Sequence, residues 1–388
     1  MDWREEKRQV LDRARCIIFK VGSAVVTDRI GLNHEIIRSL AAQMAAVTAL
    51  PGGGRRRIIL VTSAAVAAGR SVLRERGIRA DTTGLSARQA AAAIGQGRVV
   101  LAWESAFREQ NVTIAQILLT GDDFRSRERL LNASNTFAEL LAWNVVPVIN
   151  ENDTVSTAEL KFGDNDTLAS LLVNLAGADL FVNLTSAPGV LAADPATCPD
   201  AGVLPCIEDV FSLNLGQMCG GKTSVGSGGM YSKLRAARRA AQRGVPTYIL
   251  PGREPGVIVR AFAHEGDPGT WVRAGASHTI PSRKFWLAYR TKPVGSLEVD
   301  AGAVEALLHK GSSLLPGGIT AVQGNFQKGA LVSVTHDGRT LGVGLTNYNS
   351  ATLARIRGLK RIEVAAILGD AHYPEVIHRD NLLLEAAV

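Results

Sequence analysis

Three stretches of the 388-residue chain carry residue types able to handle phosphate. The most conspicuous is GQMCGGKTSVGSGGMYSK, residues 216–233, which satisfies the P-loop pattern G-x-x-x-x-G-K-[ST] from Gly216 to Thr223. In a working P-loop the lysine and hydroxyl residue open a helix, whose N-terminal amides and dipole hold the phosphates. Here Lys222-Thr223 runs into SVGSGG. Each interior glycine costs about 1 kcal/mol relative to alanine, so no stable helix starts there. The second half differs: Ser227, Gly228 and Gly229 precede MYSKLRAARRAAQRG. That segment predicts a helix over about 230–243, with an apolar stripe through Leu234, Ala237 and Ala241 and Gly244 as its stop. Lys233 falls in the first turn, where a cation opposes the helix dipole unless an anion offsets it. It reads as a polyphosphate contact or as a solvated helix residue.

IIFKVGSAVV places Lys20 near the end of an apolar run, just before Gly22 and Ser23. Burying an ammonium without a partner is expensive. Lys20 is therefore either an anion contact or a lysine on an edge strand. The third stretch, VINENDTVSTAELKFGDNDTLAS (148–170), gathers Glu151, Asp153, Glu159, Asp164 and Asp166 beside a strand pattern. A helix cap accounts for one member of Asp164-Asn165-Asp166 but not for all three. Ion coordination, binding of a substrate amine and orientation of the lysines remain open. A metal site is possible but lacks a specific ligand spacing, so no metal-binding residue is named.

These residues need a scaffold. Apolar runs at 16–23, 57–69, 112–120, 144–153 and 178–189 alternate with helical patterns at 35–50, 86–109, 126–142 and 166–176. Runs buried on both faces and separated by helices predict an α/β sandwich with a mostly parallel sheet. Ligands then gather beyond the carboxyl ends of the strands. Lys20-Gly22-Ser23, Thr62-Ser63, Asn150-Asp153 and Thr185-Ser186 all fall at such ends.

Past residue 262 the texture changes. Residues 264–283 read as a Gly/Pro-rich joint without sustained periodicity. Beyond it, period-two alternation (ALVSVTHDG, TLGVGLTNY) and a short helix near 301–310 predict a small β-rich domain. The organisation expected is 1–262 as catalytic domain, 263–281 as linker and 282–388 as the second domain.

Net charge is +7, with 46% hydrophobic and 20% charged residues. That suits a globular enzyme gripping polyanionic metabolites better than a nucleic-acid binder. Cys16, Cys198, Cys206 and Cys219 form no C-x-x-C pair and are expected as reduced thiols. The charged N-terminus is unlike a signal peptide, and no run of about 18 apolar residues occurs. A cytoplasmic protein without a membrane span is the expectation.

Taken in order, KVGSAVVT, VTSAAVAAGR, VPVINENDTVSTAELKFGDND, GSGGMYSKLRAA, GSSLLPGGITAVQGNF and HRDNL resemble the glutamate 5-kinase family, an amino acid kinase domain followed by a PUA domain. The resemblance runs from about residue 16 to 382. It implies an amino-acid-kinase-type three-layer sandwich and a small β-rich PUA-like barrel. It implies transfer of the ATP γ-phosphoryl to the side-chain carboxylate of L-glutamate, the first step of proline biosynthesis. By the family pattern Ser63, Asp153 and Asn165 bind glutamate. Lys20 and Lys233 act on the transferring phosphoryl and Asp166 orients them. ATP would meet Lys20, Gly22, Ser23, Thr185 and Ser186, then Ser227, Gly228, Gly229, Met230, Tyr231, Ser232 and Lys233, with Mg²⁺ carried on the nucleotide. The family also makes a homo-oligomer the expectation, proline a candidate feedback inhibitor and a γ-glutamyl phosphate reductase a candidate recipient of the product. Another small-molecule kinase of the amino acid kinase family is the runner-up. The PUA-like tail argues against acetylglutamate kinase and aspartokinase. An accessory RNA-binding role has little support, because the tail's basic excess is mild and no aromatic stacking stripe accompanies it.

Three positions depart from the family's pattern. Ser63-Ala64-Ala65 stands where Ser-Gly-Ala is usual, Thr185-Ser186 where Thr-Asp is usual, and Ser23-Ala24 where two hydroxyl residues follow the glycine. The first bears on substrate affinity and the second on nucleotide preference.

Overall fold

The computed structural model describes residues 2–51, 53–156, 164–198, 200–219, 229–275, 279–281, 284–285, 287, 293–369 and 373–384. The chain divides into two compact units, Met1–Ser277 and His278–Val388.

The first unit opens with α1 (Trp3–Arg13), β1 (Cys16–Val21), α2 (Ser23–Val26), α3 (His34–Ala46), β2 (Arg57–Val61), α4 (Ala65–Glu75) and α5 (Leu85–Arg108). It continues with β3 (Ile114–Leu119), α6 (Gly121–Arg125), α7 (Arg127–Ala142), β4 (Val146–Glu151), α8 (Asn165–Ala176) and β5 (Leu180–Thr185). It closes with β6 (Cys206–Ile207), α9 (Leu215–Met218), α10 (Met230–Ala241), β7 (Thr247–Pro251), α11 (Val257–Phe262) and β8 (Thr270–Val272). The strands form one eight-stranded sheet in the order β3-β4-β2-β1-β5-β7-β8-β6, parallel throughout except for the β7–β8 pair.

Both faces of the sheet are covered, as the continuous apolar strands require. On one face Ile37 and Leu40 of α3, Val99 and Trp103 of α5 and Ile258 of α11 pack over Ile17 and Phe19. On the other, Phe137 of α7, Leu168 and Leu172 of α8 and Ala236 and Ala240 of α10 pack over Ile18 and Ile59. The result is the expected three-layer α/β sandwich.

The structure adds to the sequence reading or differs from it in three places. The run 57–69 is β2 followed by the start of α4, separated at Ala64, whose φ of 89° puts it in the left-handed region. The charged N-terminus is a helix, tied down where Lys7 and Arg4 meet Asp267 and Arg273 meets Glu6. Residues 264–283, expected as a joint, include β8, where buried Trp271 and Val272 extend the sheet. A three-residue strand is too short to declare a period.

One close approach joins α4 to α5. A Cβ on Gly95 of α5 would lie 1.8 Å from Ala65 O, and one on Gly69 of α4 would lie 1.8 Å from Ala91 O. Only glycines let these two helices touch backbone to backbone.

The second unit carries a five-stranded sheet in the order β10-β9-β11-β12-β13, made of β9 (Ser296–Val299), β10 (Ile319–Gln323), β11 (Leu331–His336), β12 (Arg339–Leu345) and β13 (Leu382–Leu384). The alternating ALVSVTHDG and TLGVGLTNY segments are its β11–β12 hairpin. Leu297, Val332, Val334, Leu353 and Ile377 form its core. HRDNL supplies a 3-10 turn at Arg379–Asn381 leading into β13, which is a structural role. Among the described residues no helix is long and apolar enough to cross a membrane, and the four cysteines are free.

Candidate active site

Lys20 lies on β1, between β2 and β5 in the middle of the sheet, so the edge-strand reading fails. Its side chain is 3% exposed, and an ammonium buried that deeply demands an anion. The anion comes from α8, the helix behind the strands. Asp164 caps that helix by accepting a hydrogen bond from Thr167 N at 2.7 Å. The cap places Asn165 and Asp166 in the first turn, aimed over the strand ends. Asp166 is fully buried. Its Oδ1 lies 2.7 Å from Lys20 Nζ and its Oδ2 lies 3.2 Å from Lys233 Nζ.

Lys233 arrives from α10, whose N-cap is Gly229. The apolar stripe expected on this helix is present: Leu234, Ala237 and Ala241 pack under it with Ile249 and Val272. Gly244 takes φ +69° and ends the turn that follows. Lys233 is buried rather than solvated, which removes the alternative reading. Two further donors complete the carboxylate: Ser232 Oγ donates to Oδ2 at 2.6 Å and Asn183 Nδ2 donates to Oδ1 at 2.8 Å.

The electrostatics follow from this crowding. Burial alone would raise the Asp166 carboxyl, but contact with Lys20 and Lys233, helped by the hydrogen bond from Ser232, holds it well below the usual carboxylate range. Lys233 is pushed down, chiefly by burial and also by Lys20, against the opposing pull of Asp166. Asp166, Lys20 and Lys233 are thus one carboxylate shared by two ammonium groups, with a net positive charge at the mouth of a parallel sheet.

Beside this triad lies a neutral polar cluster. Asn165 Nδ2 faces Thr62 O, Ser63 Oγ and Asn150 Oδ1, each at 2.8 Å. Asn150 Nδ2 in turn donates to Gln96 Oε1 at 2.8 Å, and Trp103 Nε1 donates to Thr62 Oγ1 at 2.9 Å. Asn165 Oδ1 is buried with no donor among the described residues. A buried acceptor without a partner is expensive to keep unless a ligand supplies the donor. Asp164, Asn165 and Asp166 therefore have three separate tasks: cap, amide cluster and lysine anchor.

The other expected residues that the structure describes sit just past strand ends or at the start of α10. Gly22 is the N-cap of α2 and donates from its amide to Leu184 O at 3.3 Å, and Ser23 follows it, exposed. A Cβ on Gly22 would sit 3.8 Å from Lys20 Nζ. Thr185 ends β5 and accepts from Ala187 N at 3.3 Å, while Ser186 is exposed. Met230 and Tyr231 are half-buried at the start of α10, and Asp153 is half-buried in the turn after β4. Ser227, Gly228, Glu159, Lys222 and Thr223 lie outside the described residues. Of the P-loop match, Gly216 falls within the four-residue α9. Among the described residues, the group of side chains close enough to share a metal ion is Glu298, His336 and Asp337, in the second unit.

Sequence reading missed Asn183 and Gln96. Asn183 interrupts the apolar run LFVNLT just as Lys20 interrupts CIIFKV, and that shared signal could have found it. Gln96 sits mid-helix among alanines and gives no comparable sign.

Comparison with known proteins fits this geometry. Residues 15–251 match the amino acid kinase family and residues 295–368 match the PUA domain. The chain is 57% identical over its full length to a protein named glutamate 5-kinase from Nitratidesulfovibrio vulgaris, itself covered completely. Proteins of the same name from Oleidesulfovibrio alaskensis and Maridesulfovibrio salexigens are 56% and 50% identical, covering 100% and 98% of this chain and 100% and 99% of their own.

Proposed function

We propose, on the premise that this chain belongs to the glutamate 5-kinase family of the amino acid kinases, that the site moves the γ-phosphoryl group of ATP to the side-chain carboxylate of L-glutamate. The observation that carries this reading is the buried Lys20–Asp166–Lys233 triad at the carboxyl ends of parallel strands. A carboxylate with a reference pKa near 4.3 is already ionised at neutral pH, so the nucleophile needs no general base. One oxygen of the glutamate carboxylate forms the new P–O bond while the bond from the γ-phosphorus to the ADP oxygen breaks; no proton moves. The obstacle is electrostatic, because two anions must meet and negative charge spreads over the transferring group.

Lys20 and Lys233 supply fixed positive charge there, and Asp166 holds both ammonium groups in place without taking a proton. Asn165, Ser63 and Asp153 would hold glutamate, with Asn165 Oδ1, which no described residue donates to, suited to accept from its ammonium. Gly22, Ser23, Thr185, Ser186 and the segment 227–233 would hold ATP. Mg²⁺ would come with the nucleotide and supply further neutralisation of its phosphate charge. Family membership supports, as part of the same proposal, proline as a competitor of glutamate, a homo-oligomer, a reductase receiving the labile product and a cytoplasmic setting.

The test is glutamate-dependent release of ADP, with the acyl phosphate trapped by hydroxylamine as a γ-hydroxamate. Turnover of aspartate, N-acetylglutamate or carbamate with none of glutamate would overturn the reading.

A further inference from the structure

We propose that Asn183 is a positioning residue for phosphoryl transfer, fixing the Asp166 carboxylate in the orientation that serves both lysines. The inference rests on the proposed role of Lys20, Lys233 and Asp166. Asn183 lies on β5 directly beside Lys20 in the parallel register of β1 and β5, and it is completely buried. Its Nδ2 donates at 2.8 Å to Asp166 Oδ1, the oxygen that also holds Lys20 at 2.7 Å. Ser232 and Lys233 occupy Oδ2. Each carboxylate oxygen is thus held by one lysine and one neutral donor, and the neutral donors resist rotation of the carboxylate toward either lysine alone.

The other end of the amide shows that this contact is kept at some cost. A carbonyl oxygen turned toward Asp166 would be repelled, so Nδ2 must face the carboxylate. Asn183 Oδ1 is then turned to a place where no described donor reaches it. A buried, unpaired acceptor destabilises a fold. An apolar side chain would suit a strand whose other residues are buried, and local rules broken in this way mark functional positions. Among the described residues the charged groups facing this centre are Lys20 from β1 and Lys233 from α10, with Asp164 at the start of α8 acting on Lys233.

Asn183→Leu removes the donor and the orphaned oxygen together. It is expected to melt at or above the wild-type temperature, to keep the KM for glutamate, and to lower kcat roughly tenfold, the scale of one hydrogen bond to a charged group. Asn183→Asp restores a donor only while its carboxyl is protonated, so its kcat is expected to fall as pH rises across a range where wild type is flat. Unchanged kcat in Asn183→Leu, loss of its fold, or a flat profile for Asn183→Asp would each overturn the inference. Lys20→Ala, assayed beside them, separates the two readings. Wild-type turnover there removes the role of the lysines. An inactive Lys20→Ala with a fully active Asn183→Leu removes only the role of Asn183.

Discussion

Asp166 Oδ1 stands 2.7 Å from Lys20 Nζ, and both side chains are buried. The pair joins two elements that the sequence separates widely, the central strand β1 and the first turn of α8. Lys233, from a third element, closes on the other oxygen of the same carboxylate.

Removing that carboxylate leaves two buried ammonium groups facing each other. Asp166→Ala is expected to cost about 3–5 kcal/mol of stability, the usual penalty for breaking one side of a buried ion pair. Thermal melting or urea titration measures it. The pH dependence has a definite sign. Because the folded carboxyl sits below its unfolded value near 3.9, the stability it contributes is present above that value and is lost as pH falls further. Acid titration of wild type should show this loss, and Asp166→Ala should lack it.

Lys233 is depressed chiefly by burial, so it gives up its proton at a lower pH than an ordinary lysine. Activity is therefore expected to decline on the alkaline side before the ordinary lysine range near 10.4 is reached. Lys233→Arg keeps its charge at any accessible pH. If that variant retains measurable turnover, its profile should lack the alkaline decline. Lys233→Ala should lose far more kcat than Lys222→Ala; equal losses would put the P-loop lysine back in the reaction.

Much of this was legible before any coordinates. Lys20 in CIIFKV and the three consecutive residues Asp164-Asn165-Asp166 broke local rules, and each break marked a contact in the site. The sheet could be read from long apolar runs, and α10 from its stripe and terminal glycine. What stayed hidden was non-local. Nothing near Asp166 in sequence names Asn183 or Ser232 as its hydrogen-bond partners, because strand register and helix docking decide that. Strand β8 and the boundary at Ala64 were hidden for a different reason: one is too short for a period, and the other is a change of backbone hand within a single alanine.

That alanine is strained. Ala64 takes φ +89° at the N-cap of α4, a conformation that costs a non-glycine residue about 1–2 kcal/mol. Ala64→Gly removes the clash but gives the unfolded chain more freedom, so a net gain of about 0.5–1 kcal/mol is expected. A shift in melting temperature reads it. The same variant changes the backbone beside Ser63, so KM for glutamate should move while KM for ATP stays within error.

Gly95 offers the complementary test, acting on the same corner from behind. A Cβ there would lie 1.8 Å from Ala65 O and 2.4 Å from Gly69 N, both backbone atoms that cannot swing aside. Gly95→Ala must therefore push the first turn of α4 away from α5, at a cost of about 1–3 kcal/mol in overpacking. Ala65 is the first residue of α4, two positions after Ser63, whose hydroxyl oxygen accepts from Asn165 Nδ2. The displacement should reach the amide cluster before it reaches the lysines, which are anchored on β1 and α10. Steady-state kinetics is expected to show KM for glutamate raised several-fold, with KM for ATP nearly unchanged. An equal rise in both would mean that α4 does not set the glutamate subsite.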